Sequence, residues 1–278
     1  MKKVKQILVV LIILVALLTL GERTASYLFK NKVLDEIKLL YDSSLKADKA
    51  KVTEAGLKKL PGPVAGYLRA SGVVGKQRIK FARVKETGAI RSAPDAKWMT
   101  FTADQFFSSE PMGFIWLADV SMGPVPVKVR DIYFNGKGNM LVKLASTFSI
   151  ADAKGKEIDK SAFGRCFGEL SLLPTAFLNK NIKWENKGKG AVRASIKDRE
   201  NEVVADMKFN DKNELVEYVC DRYRDENGTI VPAKFMGRCS NYREFKGFRI
   251  PGKISGSWVL PSGEFEYVWI EINNIEYE

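Results

Sequence analysis

The start of the chain combines three lysines with a continuous apolar run, and this feature constrains the fold more than any other. Lys2, Lys3 and Lys5 precede an apolar segment that extends from Ile7 to Leu20. A basic flank before such a segment is the pattern that directs a chain to a membrane. As a helix the run would be about 21 Å long, which is short for a hydrocarbon core of about 30 Å. The segment is therefore either a thin membrane span or the apolar core of a secretory signal.

Three fates of residues 1–23 are open: an uncleaved membrane anchor, a cleaved signal, and a buried or interfacial helix. No Ala-x-Ala cleavage pattern is present, and a helical pattern resumes in residues 24–75 with Val33, Leu34 and Ile37 on one face. These features favour an anchor followed by a helical stalk. The early lysines favour a cytoplasmic N-terminus. We therefore expect a single-pass protein of the cytoplasmic membrane with an extracytoplasmic C-terminal domain.

The basic charge is concentrated near the apolar run. The formal net charge is +12, and the first 60 residues hold 12 Lys and Arg against 6 Asp and Glu, which is half of the excess. A cation at a membrane surface gains about 1 kcal/mol from anionic lipid head groups. Nucleic acid would require a basic surface on the folded domain and a recognisable module. We expect an anionic lipid surface as a partner and no nucleic acid; scattered solubilising lysines are the alternative explanation. The oligomeric state is left open.

Histidine is absent from the chain, and its absence excludes many common catalytic and metal sites. Ser-His-Asp catalysis, Cys-His catalysis and imidazole-liganded zinc all require it. Carboxylate, lysine or tyrosine chemistry and an oxygen-liganded cation remain, but no spacing supports them, so we assign no catalytic residue, cofactor or metal. Asp104, Asp131 and Glu169 are the candidate acids of an enzyme. Ion pairs are the alternative role, since Arg165 lies one helical turn before Glu169.

The cysteines are sparse, and their spacing argues against a disulfide. Leu215–Tyr223 and Ile230–Tyr242 predict two strands around the turn residues Asn227-Gly228. Pairing across this turn sets Cys220 near residue 235. Cys239 then lies about 13 Å further along the strand, beyond disulfide reach. We expect three free, mostly buried thiols.

Residues 76–278 are predicted to form one β-rich domain. Turn signals separate segments in which apolar and polar residues alternate, as they do from Val203 to Phe209. Such alternation is typical of an antiparallel sheet with one buried face. One helix near residues 158–178 interrupts the strands. The predicted fold class is α+β, a curved antiparallel β-sheet (half-barrel-like) with helices on its concave face, preceded by an N-terminal transmembrane helix and a stalk helix.

Aromatic residues are dense between Trp98 and Phe134, and on a concave sheet they could enclose an acyl chain or another apolar ligand. Filling a solid core is the alternative role. Arginines in the C-terminal hairpins could bind a phosphate or carboxylate head group, or pair with acids on neighbouring strands. We predict ligand contacts from seven residues: Phe101, Phe114, Trp116, Tyr133, Phe167, Arg222 and Arg238.

Five segments resemble an uncharacterised bacterial family of membrane-tethered proteins. They are LPGPVAGYLRASGVVGK (60–76), WMTFTADQFF (98–107), PMGFIWLADV (111–120), DIYFNGKGNMLVKL (131–144) and YREFKGFRIPGKISGSWVLPSGEFEY (242–267). The family has no established activity, so the resemblance implies no catalytic residue. Cys166 stands where the resemblance leads us to expect Tyr, which argues against a nucleophilic role. The strand and helix order is similar to that of lipoprotein-carrier (LolA/LolB-like) domains, in which a curved sheet encloses lipid, but this similarity concerns the fold alone.

The sequence therefore predicts a membrane-tethered extracytoplasmic domain that binds a lipid or other apolar ligand without catalysis. Two alternatives are an envelope scaffold or interaction protein with a solid core, and a carboxylate-dependent enzyme. A filled concave face would favour the scaffold. An enzyme requires Asp131 or Glu169 in an open cleft with a second acid nearby.

Overall fold

Thirteen antiparallel strands form one sheet in the computed structural model, which describes residues 2–47, 50–123, 125–226 and 228–278. In chain order they are β1 (Phe81–Ile90), β2 (Met99–Ser109), β3 (Met112–Met122), β4 (Val125–Phe134), β5 (Lys137–Leu144), β6 (Phe148–Ala153), β7 (Lys183–Gly188), β8 (Ala191–Asp198), β9 (Asn201–Phe209), β10 (Leu215–Glu226), β11 (Thr229–Phe245), β12 (Phe248–Leu260) and β13 (Gly263–Tyr277). Their order across the sheet is β6-β5-β4-β3-β2-β1-β13-β12-β11-β10-β9-β8-β7. Two meanders therefore meet where β1 pairs with β13, and the predicted antiparallel sheet is confirmed.

Four α-helices lie among the described residues: α1 (Lys2–Ser44), α2 (Glu54–Leu57), α3 (Gly62–Ala70) and α4 (Lys156–Gly168). Two 3-10 turns, Glu169–Leu172 and Pro174–Leu178, follow α4. The helix predicted near 158–178 is therefore an α-helix that tightens into short turns, and Pro174 begins the second of them because its fixed φ suits a helical start. The predicted anchor and stalk are continuous in α1.

The β10–β11 hairpin has the register that its turn residues predict. Glu226 pairs with Thr229, and Cys220 lies opposite Phe235. Asn227 lies outside the described residues, while Gly228 has a positive φ of 85°, which glycine adopts without strain. All three cysteines are buried and free, as the sequence predicts.

The sheet curls around α4. This helix contacts β3, β4 and β5 from one half of the sheet and β9 and β10 from the other half. Phe163, Cys166 and Phe167 of α4 are buried in a large apolar cluster that also includes Val84 of β1 and Met207 of β9. We call the α4 side of the sheet the concave face. The helix packs there as predicted.

The second half of α1 packs on the opposite, convex face. A separate apolar cluster joins its buried residues to three strands and contains Phe29, Val33, Leu40, Phe81, Ile115 and Leu141. Glu36 of α1 forms an ion pair of 3.3 Å with Arg130 of β4, which is 3% exposed. Tyr41 packs edge-on against Phe81 and donates a hydrogen bond of 2.8 Å to Glu278. The stalk is therefore part of the folded domain.

The first half of α1 has no such cover. Its large apolar side chains from Ile7 to Leu17 are at least 50% exposed. By length and composition, α1 is the one helix among the described residues that could cross a membrane, and a signal sequence near the N-terminus meets the same criterion.

Substituting Leu40 should measure how strongly α1 is bound to the sheet. Leu40 is fully buried, whereas its neighbour Leu39 is 60% exposed. We expect Leu40→Ala to lower the free energy of unfolding by about 2–5 kcal/mol, because it leaves a cavity between α1 and the sheet. Leu39→Ala should change it by less than about 0.5 kcal/mol. Urea unfolding of the full chain in detergent micelles measures both, and equal effects would contradict packing of α1 on the domain.

Candidate functional site

The concave interior is the candidate site, because it gathers six of the seven predicted ligand-contact residues. Phe101, Phe114, Trp116, Tyr133 and Phe167 belong to one apolar cluster, and each is at most 5% exposed. They face inwards because they alternate along their strands with residues of the other face, or lie on the inner side of α4. The rings of Phe101 and Trp116 meet edge-on at 5.2 Å, and Tyr133 stacks on Phe163 at 5.1 Å. Their contact partners are therefore other core side chains.

The two predicted arginines lie in different places. Arg222 is 8% exposed, lies 4.5 Å from the ring centre of Phe235, and donates a hydrogen bond of 3.0 Å to the carbonyl of Ser161 on α4. Arg238 lies on β11 between the buried positions Gly237 and Cys239, so it points to the convex face. There it pairs with Glu264 of β13. Arg238 is thus separated from the other six residues by the sheet.

A buried ionic cluster surrounds Arg165 of α4. Its Nη1 lies 2.7 Å from Asp131 Oδ2, and its Nε donates a bond of 2.9 Å to Glu169 Oε1. The guanidinium also lies 4.8 Å from the ring centre of Phe114 and 5.0 Å from that of Trp116. Burial opposes the charge on Arg165, but the carboxylates of Glu169 and Asp131 outweigh burial and raise its pKa. Asp131 and Glu169 are therefore ion-paired, which is the arrangement that counts against the enzyme hypothesis. The third candidate acid, Asp104, is partly exposed and pairs with Arg83 at 3.0 Å.

Two inward-facing polar residues, Glu86 of β1 and Gln105 of β2, extend this cluster across the sheet. Gln105 is fully buried and donates a bond of 2.7 Å from Nε2 to Glu169 Oε2. Glu86 is 2% exposed, and its Oε2 accepts a bond of 2.9 Å from Trp116 Nε1. The strand register explains the contacts, because Gln105 lies opposite Trp116, which in turn lies opposite Asp131.

Glu86 Oε1 and Gln105 Oε1 are buried and lack a hydrogen-bond partner among the described residues. Burial, followed by the negative charge of Glu169, raises the pKa of Glu86 from 4.5 to about 8. Glu86 is therefore mostly protonated at pH 7. A neutral carboxyl group can donate as well as accept a hydrogen bond.

Sequence reasoning missed Glu86 and Gln105, although a signal for Glu86 exists. In β1 the outward positions carry Arg83 and Lys85, so alternation places Val84, Glu86 and Gly88 on the inner face. An acid in such a row is an exception to the pattern. Among the described residues, no three His, Cys, Asp or Glu side chains come together as metal ligands.

Two surface cavities lie outside this cluster. One of about 530 Å³ is lined by Asn179, Asp198 and neighbouring residues, and one of about 590 Å³ by Thr102, Asp119, Trp269 and neighbours. Neither is lined by Glu86, Arg165 or Phe167, but Phe163 of α4 lines the first cavity and Phe101, a predicted ligand contact, lines the second. The centre of the concave face is thus filled by protein side chains.

Comparisons with known proteins identify the family. Residues 50–270 match the sequence model of DUF6544, a family of unknown function, and the chain belongs to this family. The resemblance to an uncharacterised family is thereby confirmed. No curated protein matches the chain.

Two solved structures resemble the fold. A DUF1329 family protein from Desulfovibrio piger is 12% identical, with a TM-score of 0.43, and the match covers 82% of this chain and 94% of that one. A LolA superfamily protein from Nitrosomonas europaea is 9% identical, with a TM-score of 0.42, and the match covers 77% and 93%.

The raised pKa of Glu86 predicts a pH dependence of stability. The folded state holds this proton up to about pH 8, whereas the unfolded chain releases it near pH 4.5. Stability from this group is therefore complete below about pH 4.5 and is lost as the pH rises towards 8, by up to about 1.4 kcal/mol per pH unit. Glu86→Gln should remove this part of the slope between pH 5 and 8 in urea unfolding. Glu202→Gln, at a residue whose side chain is 50% exposed, should retain it. Equal slopes for the wild type and Glu86→Gln would contradict the prediction.

Proposed function

We propose that this DUF6544 member is a membrane-tethered extracytoplasmic domain that binds a lipid or other apolar ligand without catalysis. The supporting observation is the continuity of α1, whose exposed apolar half leads directly into a half that packs on the domain. A helix of this kind does not leave the domain free on a flexible linker. The sheet and the membrane segment would thus form one unit.

The tether would hold the domain at the bilayer surface. Eight residues separate Leu20, the end of the apolar run, from Phe29, the first buried residue of α1 among the described side chains. At the helical rise, Leu20 and Phe29 lie about 13 Å apart along α1, which is about twice the thickness of one head-group region. A ligand taken from this bilayer would therefore travel only a short distance to reach the domain.

The proposed orientation follows from the charges that flank the apolar run. Lys2, Lys3 and Lys5 favour a cytoplasmic N-terminus, so the domain would lie outside a membrane crossed once. The cations beyond the run, Arg23, Lys30 and Lys32, would then lie near the outer head groups, where anionic lipids attract them.

A ligand reaches the concave interior only if α4 moves, because α4 occupies it. On the face of α4 towards β10, Gly164 lies against Cys220 and Arg222, and Gly168 lies against the ring of Tyr218. The helix contributes no side chain of its own at these two positions, and a shift along the sheet must break the hydrogen bonds that Tyr218 and Arg222 donate to the carbonyls of Gly164 and Ser161. We therefore propose that displacement of α4 opens the interior to an apolar chain, with Phe101, Phe114, Trp116, Tyr133 and Phe167 as its contacts.

The scaffold function is the second candidate, and the filled interior favours it. Large rings such as Phe114, Tyr133 and Phe167 are fully buried against other core residues. A domain that only presents surfaces to partners needs no more than such a solid core.

A disulfide between α4 and β10 should separate the two candidates. A Cβ atom at Gly164 would lie 3.6 Å from the Cys220 Sγ, so Gly164→Cys offers a partner for the native thiol. We expect native mass spectrometry, after incubation with phosphatidylcholine vesicles and gentle extraction, to recover lipid with the reduced variant and none with the oxidised one. Gly164→Ser controls for the added side chain.

Lipid bound in both redox states would place the ligand outside the concave interior. A wild type that never carries lipid would leave the scaffold as the function. Loss of binding in Gly164→Ser as well would assign the effect to steric disturbance at residue 164 and would contradict the displacement of α4.

The proposed topology predicts that a reporter fused after Glu278 functions outside the cytoplasm. Alkaline phosphatase, which folds only in an oxidising compartment, should be active in this fusion, and green fluorescent protein should be dark when exported through the general secretory route. The reverse result would refute the extracytoplasmic placement.

A further inference from the structure

Exposed apolar side chains gather at one end of strands β1 to β6. Trp98, Met122, Phe148 and Ile150 are 38%, 50%, 67% and 54% exposed. We call these four residues the apolar rim. Among the described residues, the opposite ends of the same strands, at the β2–β3 and β4–β5 turns, expose no large apolar side chain. Such a concentration on a protein surface marks an interaction site.

The strand register places the four residues at a common level. The pairs that lead to this end of the sheet are Ile90–Met99, Phe101–Val120, Val120–Val127, Val127–Leu144 and Leu144–Phe148. Trp98 immediately precedes Met99, and Met122 is two residues beyond Val120. Phe148 begins the edge strand β6, and Ile150 lies two residues further on.

The direction of α1 relates this rim to the membrane segment. At its C-terminal end, Leu40 contacts Gly113 and Tyr41 contacts Phe81, both at the end of the sheet opposite to the rim. Towards its N-terminus, Phe29 joins the cluster of Leu141 and lies 5.7 Å from the ammonium of Lys143, one residue before the end of β5. The exposed apolar half of α1 therefore projects from the domain beyond the rim.

Exposed apolar side chains also lie on α1 at the level where it passes the end of β5. Tyr27 and Leu28, which immediately precede the buried Phe29, are 64% and 62% exposed. Lys143 donates hydrogen bonds to the carbonyls of Ser146 and Thr147, so a cation stabilises the turn that presents Phe148. Aromatic rings with cations beside them are typical of the membrane–water interface.

We infer that the apolar rim is a membrane-contact surface, whose partner is the phospholipid bilayer that α1 enters. The inference rests on the proposed tether, and it adds a second, peripheral attachment. Two attachments, α1 and the rim, fix the orientation of the domain on the bilayer. The end of the sheet between β1 and β6 then faces the lipid, at the boundary between head groups and acyl chains.

Fluorescent labels on single cysteines test this surface in the full chain. The native thiols are buried, so a maleimide-linked nitrobenzoxadiazole group should react selectively with an introduced exposed cysteine. Phe148→Cys places the label on the rim, and its exposure means that the substitution removes no core side chain. Val204→Cys, at a residue of β9 that is 47% exposed, is the matched control, and Leu14→Cys reports on α1.

The proteins are reconstituted into vesicles of phosphatidylcholine, with or without phosphatidylglycerol, that contain lipids spin-labelled near the head group or deep in the acyl chain. We expect the head-group spin label to quench most of the fluorescence at residue 148 in both lipid mixtures, and to leave residue 204 unquenched. The deep label should quench residue 14. Quenching at residue 148 should occur in both lipid mixtures, because apolar side chains form the proposed surface and their contact with the bilayer does not depend on anionic lipid.

Four results would overturn the inference. Quenching at residue 14 without quenching at residue 148 would refute the rim and leave the tether intact. Absence of quenching at residue 14 would refute the tether itself. A blue-shifted but unquenched label at residue 148 would show that protein, such as a second copy of the chain, covers the rim. Quenching only with phosphatidylglycerol would assign the contact to charge.

Discussion

Strands β1 to β5 bury apolar side chains on both faces, and this constraint governs the rest of the architecture. An antiparallel sheet usually leaves one face in water, but here Phe107 and Phe114 pack inwards while Phe81 and Ile115 pack outwards. Each face therefore needs a covering helix. The inner helix is α4, and the outer helix is the second half of α1. Because the outer cover is continuous with the apolar N-terminal half of α1, folding of this sheet also fixes where that half leaves the domain.

The sequence predicts the parts of the fold that depend on local signals. The turn at Gly228 sets the register that places Cys220 opposite Phe235, and alternation from Val203 to Phe209 reveals a strand with one wet face. Where both faces are covered, the alternation disappears. The run from Phe114 to Leu117 therefore shows that the strand is buried without showing which residues face α4 and which face α1.

Burial explains why the candidate site was only partly predictable. Aromatic residues such as Trp116 and Phe167 are recognisable as core residues, and they do come together. Tertiary packing decides which acidic and which basic side chains form ion pairs. Asp131 is adjacent in sequence to Arg130 but pairs with Arg165, while Arg130 pairs with Glu36 through the convex face. Arg238 and Arg222 lie on neighbouring strands, and the opposite orientation of their side chains separates them.

Removing the charged groups around Arg165 from water costs free energy, and apolar side chains at the same positions would avoid this desolvation cost. Replacing buried ion pairs with well-packed apolar residues is often neutral or stabilising, so stability alone does not account for the cluster. What it adds is position: Arg165 and Glu169 fit only one placement of α4 against Asp131 and Gln105. Protonation of Glu86 lowers the free-energy cost of burying this side chain, because the neutral carboxyl leaves no uncompensated charge. The proton also turns one buried oxygen that lacks a hydrogen-bond partner from an acceptor into a donor. The position of α4 is therefore specified by polar contacts on both sides, with Asp131 and Gln105 on one side and with Tyr218 and Arg222 of β10 on the other.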